Sequence, residues 1–558
     1  MGRLFDEFQE DFSRGMDDSR AANRYPRNAA KLIQNARIES DGTVSRRDGT
    51  RRLHLAALFA GIGYGATMFE AANGDVQEIA IFGTKAYMSD DNWLTSAEVA
   101  TGLREDYYDF ATMRVGSTNY LFMANGDTTV KRWDGTTWDT LPNVPSGVKY
   151  IEVFNSRLAV TGHSGVLVQL SKVADPTIWT GAGGALTVSI LTYDGDPPNG
   201  LFTAGPHLLV FERHNTSYLD GFGEQTLIVA QGATGFSRSV GCIAFRTIVA
   251  VGDEEVCWLS ARGVEYYSPR TGIHLLSRQI DTFMSENVDF TTIVDNPGRP
   301  TACYDAFRQD YLCAVPTGGL RNSRTIVVNL YQRGTGWLGA PSIDLKAYSA
   351  GTELLFGGDA DGYMEIEAAG YRLRVDANGY TTFGTEAGGA DPILEDADGY
   401  LDAVTDDALP ATLYIGPSVE GGLVVHSAGY DGFVRQHFGA DFDKDDELVT
   451  PSGGEDIEMV LVPRPFVMGA PRRRKRVRAV HVSAINETSA TLTVAVRAGG
   501  TLGATTTLTV PLTQYSQAKR ERAMVTGLDD APQVELHTTA RTRIALVGVS
   551  AEVTREPV

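Results

Sequence analysis

Aspartate-rich turns are the residues of this sequence that first suggest chemistry, because clustered carboxylates are the ligands that calcium prefers. Three turns of the type Asp-Ala-Asp/Asn-Gly-Tyr recur at residues 359–363, 376–380 and 396–400, and the run DFDKDDE covers residues 441–447. The repeats lack the glutamate of an EF-hand loop and the run lacks its glycine. Aspartate and glycine are also what tight turns need, so we interpret all four as turns or solvated loops.

Other catalytic motifs do not reach the required spacing. TGHSGV (161–166) has the letters of a nucleophile elbow in the wrong frame, and GIGYG (61–65) lacks the spacing of a dinucleotide-binding loop. His163 and His207 each lie beside a turn, and no two of the nine histidines have metal-ligand spacing. We therefore predict that the protein is not an enzyme and binds no cofactor or metal.

Cysteine usage and charge exclude further classes. The four cysteines never approach a Cys-x-x-Cys motif; they could pair across hairpins, but buried free thiols are the favoured interpretation. They are Cys242, Cys257, Cys303 and Cys313. A net charge of −21 and a pI near 4.9 argue against broad nucleic-acid binding, which requires a basic surface.

One strongly basic run, PRRRKRVR, interrupts this acidic background at residues 471–478. It could contact an acidic protein surface or DNA phosphates, or it could guard the edge of a strand. We favour a protein interface. Its proposed members are Arg472, Arg473, Arg474, Lys475 and Arg476.

The first residues, MGRLFDEFQEDF, are acidic where a signal peptide would be basic, and no stretch is long and apolar enough for a spanning helix. We therefore expect synthesis and folding in a reducing cytoplasm. Residues 4–14 show helical spacing of apolar side chains, which predicts a short amphipathic helix. Its stripe of Phe5, Phe8 and Phe12 either docks on a partner protein or packs on the body of the chain.

The structural unit that positions these candidate residues is a four-stranded antiparallel sheet, and its pattern is clearest at residues 110–141. Ala111, Met113 and Val115 alternate with Thr112 and Arg114, as in a strand with one buried face. Turn dipeptides separate the strands, and we predict type I′ turns at two of them. The two are Asn125-Gly126 and Asp134-Gly135.

Comparable units recur about every forty residues between 53 and 367, often with a late tryptophan, which indicates a β-propeller of six or seven blades. The predicted fold is therefore all-β. The predicted domains are an N-terminal arm (1–34), the propeller (35–370), an additional β-hairpin region (371–454) and a C-terminal β-sandwich (455–558). We expect residues within 36–53 to close the propeller by pairing with its last blade near 344–369.

The segment before the blades resembles a known motif. Asn35 and Arg37, then Gly42 and Val44, then Arg47 and Gly49, follow the pattern N-x-R, G-x-apolar, R-x-G. This entry motif is similar to that of the tail-nozzle proteins of short-tailed phages, which include the tail tubular protein B and packaged-DNA stabilisation protein families. Asp48 stands where those proteins usually have proline.

The resemblance implies a structural protein of the virion tail, synthesised in the host cytoplasm. Six copies would form a ring next to the portal and its adaptor, retain packaged double-stranded DNA and conduct it during ejection without reading its sequence. We expect the lumen of this ring to be net acidic, with residues 471–478 facing away from the DNA, because a basic wall would hold the phosphates.

Two alternatives remain open at this stage. A propeller glycosidase of the tail, a depolymerase, needs two carboxylates from different blades, and DGTTW (134–138) only approaches a sialidase Asp-box. A propeller that binds the host surface is the other.

Overall fold

The computed structural model describes most of the first 343 residues and, beyond them, mainly strands. The described residues are 4–9, 11–19, 24–38, 42–47, 50–53, 62–180, 185–190, 195–220, 228–230, 239–317, 322–330, 342–343, 355–358, 364–368, 371–375, 381–385, 390–392, 410–417, 423–429, 434–437, 444–445, 455–456, 459–464, 475–486, 490–498, 501–502, 506–510, 519–523, 527–529, 533–538 and 544–555.

Seven short strands precede the first blade, and most of them join sheets that the chain completes hundreds of residues later. They are β1 (Leu4–Gln9), β2 (Gly15–Met16), β3 (Ala29–Ala30), β4 (Leu32–Gln34), β5 (Ala36–Ile38), β6 (Val44–Arg46) and β7 (Thr50–Arg52). The predicted helix over 4–14 is wrong. Leu4–Gln9 is a strand that pairs with Val549–Thr554 near the end of the chain. Isolated helices this short are marginally stable in water, whereas pairing with another strand satisfies the backbone N–H and C=O groups.

Six four-stranded antiparallel arrays follow, each paired in chain order. Blade 1 contains β8 (Gly63–Glu70), β9 (Val76–Phe82), β10 (Lys85–Ser89) and β11 (Ala97–Ala100). Blade 2 contains β12 (Asp109–Val115), β13 (Thr118–Ala124), β14 (Lys131–Trp133) and β15 (Trp138–Thr140). Blade 3 contains β16 (Tyr150–Phe154), β17 (Arg157–Thr161), β18 (Leu167–Leu170) and β19 (Leu186–Ser189).

The next three blades have the same order. Blade 4 contains β20 (Gly200–Ala204), β21 (His207–Phe211), β22 (Thr216–Asp220) and β23 (Ile228–Ala230). Blade 5 contains β24 (Val249–Ala250), β25 (Val256–Ser260), β26 (Gly263–Ser268) and β27 (Gly272–Leu275). After the helices α1 (Asp281–Asn287) and α2 (Phe290–Asp295), blade 6 contains β28 (Thr301–Asp305), β29 (Asp310–Pro316), β30 (Asn322–Asn329) and β31 (Ser342–Ile343).

Blade 2 shows why these sequences form blades. Ala111 and Met113 are buried and Thr112 and Arg114 are exposed, which confirms the predicted alternation. Only the glycine of each predicted type I′ pair has a positive φ, so these turns are of another type.

A second compact unit, Lys346–Leu409, interrupts the chain after blade 6. It is a five-stranded meander. Its strands are β32 (Leu355–Gly358), β33 (Met364–Ala368), β34 (Tyr371–Val375), β35 (Thr381–Thr385) and β36 (Ala390–Pro392). The segment 344–369 was predicted to form the last blade, but most of it belongs to this second unit. The prediction was wrong because the hairpins of this unit have the same alternation of apolar and polar residues as a blade.

Blade 7 is built from both ends of the propeller sequence. It consists of β37 (Pro410–Pro417), β38 (Leu423–Gly429) and β39 (Val434–His437), completed by β7. The innermost strand β37 packs against both β28 of blade 6 and β8 of blade 1, so the ring closes with seven blades. The predicted closing segment is right in residues 50–52, but its partner lies at 434–437 and not near 344–369.

Eleven described strands follow blade 7; the first two pair with each other, and the others form a sandwich that N-terminal strands complete. They are β40 (Lys444–Asp445), β41 (Glu455–Asp456), β42 (Met459–Val462), β43 (Lys475–Asn486), β44 (Ala490–Ala498), β45 (Thr501–Leu502), β46 (Thr506–Val510), β47 (Lys519–Ala523), β48 (Gly527–Asp529), β49 (Gln533–Thr538) and β50 (Ile544–Arg555). One sheet runs β47-β43-β50-β6-β5, with β1 paired to β50 and β48 to β43. The other contains β42, β49, β44, β45 and β46 and continues through β4 into blade 6.

A single core cluster joins this sandwich to blades 5 and 6. It contains Val480, Val482, Val494 and Leu536 between the sheets, and it extends to Tyr311 of β29. The strands β1, β4, β5 and β6 are therefore part of these sheets and do not form a separate arm. Within the described residues, no helix is long and apolar enough to cross a membrane.

Candidate functional site

The aromatic stripe predicted for partner docking is divided by the structure. Phe12 is fully buried in the protein's own core, and its N–H donates to the carbonyl of Gly42 at 2.9 Å. The prediction of partner docking is therefore wrong for Phe12, because the strand β1 brings it onto the sandwich. The side chains of Phe5 and Phe8 lie outside the described residues, and the ladder places these residues opposite Val553 and Ser550.

The entry motif forms the corner at which the chain passes from one sheet of the sandwich to the other. Asn35 lies between β4 and β5 with a φ of 50°, a left-handed conformation that asparagine tolerates. The Arg47 N–H donates to the carbonyl oxygen of Asn35 at 3.0 Å, and Arg47 Nε donates to Asn35 Oδ1 at 3.0 Å. Arg47 is 1% exposed, so its guanidinium is held inside the protein next to the closing strand β7. We call this corner the entry junction: Asn35, Gly42, Val44 and Arg47.

The small residues of the entry junction have steric roles. Gly42 has a φ of +83°, and a Cβ at this position would come within 2.5 Å of Asp11 Oδ1. Val44 is fully buried in the sandwich core. Arg37 pairs with Ser45 in the ladder. The last motif residue, Gly49, lies outside the described residues.

Blade 7 is fastened to blade 1 by a buried polar network. Tyr414 Oη donates to Glu78 Oε2 at 2.7 Å, and Trp93 Nε1 donates to Tyr414 Oη at 3.0 Å. His426 Nδ1 lies 2.8 Å from the same Glu78 oxygen. None of the four side chains is exposed by more than 5%. Burial, reinforced by the Glu78 charge, raises the pKa of Tyr414 well above its usual range.

His437 connects this seam to the entry junction. Its Nε2 lies 2.8 Å from Ser427 Oγ. Burial, reinforced by the positive charge of Arg47, lowers the pKa of His437 to about 3. The imidazole of His437 is therefore neutral at physiological pH. The buried network between blades 7 and 1, which we call the seam, holds the ring of blades closed.

Arg246 contacts groups from distant parts of the ring. Arg246, which precedes blade 5, donates to the carbonyl of Gly298 at 2.9 Å and to Thr412 Oγ1 of blade 7. Its guanidinium also stacks 4.6 Å from the ring centroid of Tyr107, between blades 1 and 2. Arg246 therefore links the start of blade 5 to blade 7 and to the connection between blades 1 and 2.

Two carboxyl groups, which we call the axial carboxyls, lie on the inner strands of neighbouring blades, and the first of them, Asp109, is influenced by the charge of Arg246. Asp109 Oδ2 accepts the Ile151 N–H at 2.9 Å, and Glu152 Oε1 accepts the Val153 N–H at 2.7 Å. Burial raises the pKa of Asp109 to about 7, although these hydrogen bonds and Arg246 oppose the shift. Burial and the charge of Asp109 raise the pKa of Glu152 to about 8. Both groups remain partly exposed and can hold protons near neutral pH.

The predicted basic interface begins outside the described residues, which do not include Arg472, Arg473 or Arg474. Lys475 is the first residue of β43, and Arg476 is exposed on this strand. The intervening Val477 is fully buried. The run thus enters a sheet and alternates between core and surface.

The remaining residues considered in the sequence have structural surroundings. Asp134 Oδ1 accepts the N–H groups of Thr136 and Thr137 at 2.8 and 2.6 Å, so DGTTW is a turn closed by its aspartate. The four cysteines are free and buried, as favoured from the sequence. The turns at 359–363, 376–380 and 396–400 lie outside the described residues. Among the described side chains, no group of three histidines, cysteines or carboxylates could hold a metal.

Sequence reasoning missed the seam and the axial carboxyls. Glu78 and His426 each interrupt an apolar strand, and that interruption is the one sequence signal that could have found them. Asp109 and Glu152 gave no such signal, because their proximity depends on the packing of adjacent blades.

The comparisons with known proteins identify no family for this chain. No family model matches the chain, and no curated protein matches it. Solved structures do match. A chain of the "Crystal Structure of Mitotic Checkpoint Complex" is 11% identical, with 58% of this chain and 93% of that chain covered and a TM-score of 0.34. The "N-terminal Domain of Nup159" is 10% identical, with 73% and 99% covered and a TM-score of 0.28. These values carry no argument about function.

Proposed function

We propose that this chain is a structural protein of a virion, a component of the tail nozzle of a short-tailed phage. Six copies form a ring next to the portal and its adaptor. The ring retains packaged double-stranded DNA and conducts it during ejection.

The observation that carries the proposal is the entry junction. Asn35 and Arg47, which are twelve residues apart in the resembled motif, are bonded to each other by two hydrogen bonds. Gly42 and Val44 meet the steric needs of the same corner. The motif therefore has a physical reason to appear just before a series of blades: it joins the sandwich to the strand that closes the propeller.

Passage of DNA in this proposal runs through the space enclosed by several copies. The net charge of −21 supplies an acidic wall, from which phosphates are repelled and along which a duplex slides. At physiological salt this field decays within about 8 Å, so it acts only inside a narrow bore.

Imaging of virions tests this function. We expect an antibody or a fused tag on the chain to mark a ring at the tip of the tail, coaxial with the portal. Particles assembled without the chain should lose their DNA after packaging. A label on spikes at the side of the tail, with DNA retained in its absence, would refute the nozzle proposal.

The axial carboxyls favour one second function, a glycosidase of the tail. Asp109 and Glu152 come from adjacent blades, and their raised pKa values suit a general acid at neutral pH. Purified protein incubated with host capsule polysaccharide would release oligosaccharides, and Glu152→Gln would abolish the release. Folded wild-type protein that releases none rules out this activity on that polysaccharide.

A further inference from the structure

The exposed large apolar side chains of the described residues all lie at one end of the propeller. Each blade pairs its strands antiparallel and in chain order, so its first-to-second and third-to-fourth connections lie at the same end. We call these connections the hairpin face. In the described chain they are 71–75, 90–96, 116–117, 134–137, 155–156, 171–180, 185, 205–206, 251–255, 269–271, 306–309 and 330. The exposed apolar residues in them, or directly after one, are Val76 (39% exposed), Leu94 (65%), Val173 (46%) and Phe307 (89%).

Contacts between neighbouring blades show that these connections share one end of the ring. Gly135 of blade 2 lies against blade 1, because a Cβ on it would be 3.0 Å from Ala71 Cβ. Gly205 of blade 4 lies against blade 5, because a Cβ on it would be 2.5 Å from Glu254 Oε1. The exposed apolar residues therefore belong to one side of the propeller.

Phe307 is held in solvent by a well-bonded turn between β28 and β29. Asp305 Oδ1 accepts the N–H groups of Phe307 and Arg308 at 3.0 and 3.1 Å, and Arg308 Nη1 donates to Asp305 Oδ2 at 3.2 Å. Asn329 Nδ2 donates to the carbonyl of Arg308 at 3.2 Å. Gln309 has a left-handed φ of 56°. The turn is therefore organised before any partner binds, and a preorganised side chain loses little conformational entropy when it docks.

The hairpin face is acidic. Its described connections contain eight acidic and three basic residues, and one of the bases, Arg308, already pairs with Asp305 of its own hairpin. The acidic residues are Asp75, Asp90, Asp91, Asp134, Asp175, Asp253, Glu254 and Glu255, and the basic ones are Lys172, Arg270 and Arg308. An aromatic anchor among carboxylates is complementary to an apolar pocket that has lysines or arginines at its rim.

The same charge disfavours other occupants of the hairpin face. The phosphates of a duplex or of an anionic lipid are repelled by carboxylates. A second copy of this chain carries the same net charge of −21, so the two copies repel each other at long range. The charge therefore indicates a different protein with a basic surface.

We propose that the hairpin face binds a basic protein of the virion, and that Phe307 inserts into an apolar pocket between lysines and arginines of that protein. The inference rests on the proposed function, since it names the surface on which the nozzle carries a neighbouring tail protein. Burial of the aromatic ring supplies affinity, and the surrounding ion pairs fix the orientation of the partner.

The first experiment compares hydroxyl-radical labelling of the purified full-length protein and of intact virions, with each site read by mass spectrometry. We expect Phe307 to be labelled at least about tenfold more slowly in virions, because its ring is then excluded from solvent. His214 is the reference residue. It lies between β21 and β22 at the opposite end of the blade, and its side chain is 54% exposed. Its labelling should change less than about twofold, because docking at one end leaves the other end in solvent.

The second experiment tests the charge of the partner by treating virions with a carbodiimide. This reagent joins a carboxylate to a contacting lysine, so it should link Asp253 or Glu254 to lysines of a different virion protein. Phe307→Ser should lower the yield of these crosslinks at least about fivefold, whereas Phe307→Tyr, which keeps the ring, should retain them. Thermal unfolding of both purified variants should match wild type, because Phe307 is exposed.

Equal labelling of Phe307 in the purified protein and in virions would overturn the inference, as would an equal slowing at His214, which indicates general shielding. Crosslinks made only to other copies of this chain, or retained in Phe307→Ser, would also overturn it. The nozzle proposal is decided separately, by the position of the label on virions. A ring at the tail tip in which Phe307 stays exposed rejects the hairpin face alone, whereas absence of the chain from virions rejects both.

Discussion

Replacing Glu152 by glutamine tests whether burial keeps the axial carboxyls protonated. Burial and the charge of Asp109 raise the pKa of Glu152 from 4.5 to about 8. Between these values the folded protein keeps a proton that the unfolded chain has released. The corresponding stability is fully present below pH 4.5 and is lost as the pH rises through about 8.

The size of the effect follows from the shift. One pKa unit corresponds to about 1.4 kcal/mol, so roughly 3.5 units give an upper bound of about 5 kcal/mol. Partial exposure of the side chain makes the real loss smaller, because solvent screens the charge. Glutamine is uncharged at every pH and keeps an oxygen for the Val153 N–H, which Glu152 Oε1 accepts at 2.7 Å.

The assay is chemical denaturation of wild type and Glu152→Gln at about pH 4 and about pH 8.5, with the midpoint and slope compared. We expect equal stability at the lower pH and a more stable variant at the higher pH. Asp139→Asn is the control, because Asp139 is exposed and its pKa is lowered by a hydrogen bond from Arg132. Parallel pH profiles for wild type and Glu152→Gln would refute the reasoning.

Three further substitutions test the junctions. Phe12→Ala should lower the free energy of unfolding by about 3–5 kcal/mol, as for other buried aromatics, and a thermal transition equal to wild type would contradict its place in the core. Gly42→Ala should lower the free energy of unfolding by at least about 1 kcal/mol, because Gly42 has a positive φ and a Cβ there would collide with Asp11. An unchanged denaturation midpoint would argue against this conformation of Gly42. The pKa of His437 is lowered to about 3, so stability is lost as the pH falls below 6.5. In denaturation experiments at a series of pH values, His437→Gln should reduce the loss of stability at low pH. If stability depended on pH equally in both proteins, the imidazole would not be buried in its neutral form.

The blades were predictable because each carries its own alternation. In β12, Ala111 and Met113 are buried as expected, since neighbouring residues in a strand point to opposite faces. Turn type was less predictable. The hairpin with positive φ at both central residues is Asn155-Ser156, whereas Asn125 accepts the Asp127 N–H with its own side chain at 3.2 Å.

Long-range pairing could not be read from the sequence. Residues 50–52 and 434–437 are each ordinary strand sequences, and nothing local shows that they pair or that the unit Lys346–Leu409 lies between them. The stripe at 4–14 fits a helix and a strand about equally, and only the partner β50 decides between them. The positions of Asp109 and Glu152 were unpredictable for the same reason, because their proximity arises from the packing of neighbouring blades.

The pairing of β1 with β50 also sets the order in which the protein can be completed during synthesis. Leu4 lies opposite Thr554, so β1 leaves the ribosome about 550 residues before the strand with which it pairs. At about 5–20 residues per second, that delay is roughly half a minute to two minutes. Closure of the propeller similarly waits for β39, because β7 pairs with it. Throughout that interval both early strands have open edges, and a translation product that stops before residue 544 keeps the edge of β1 open to pairing with other chains.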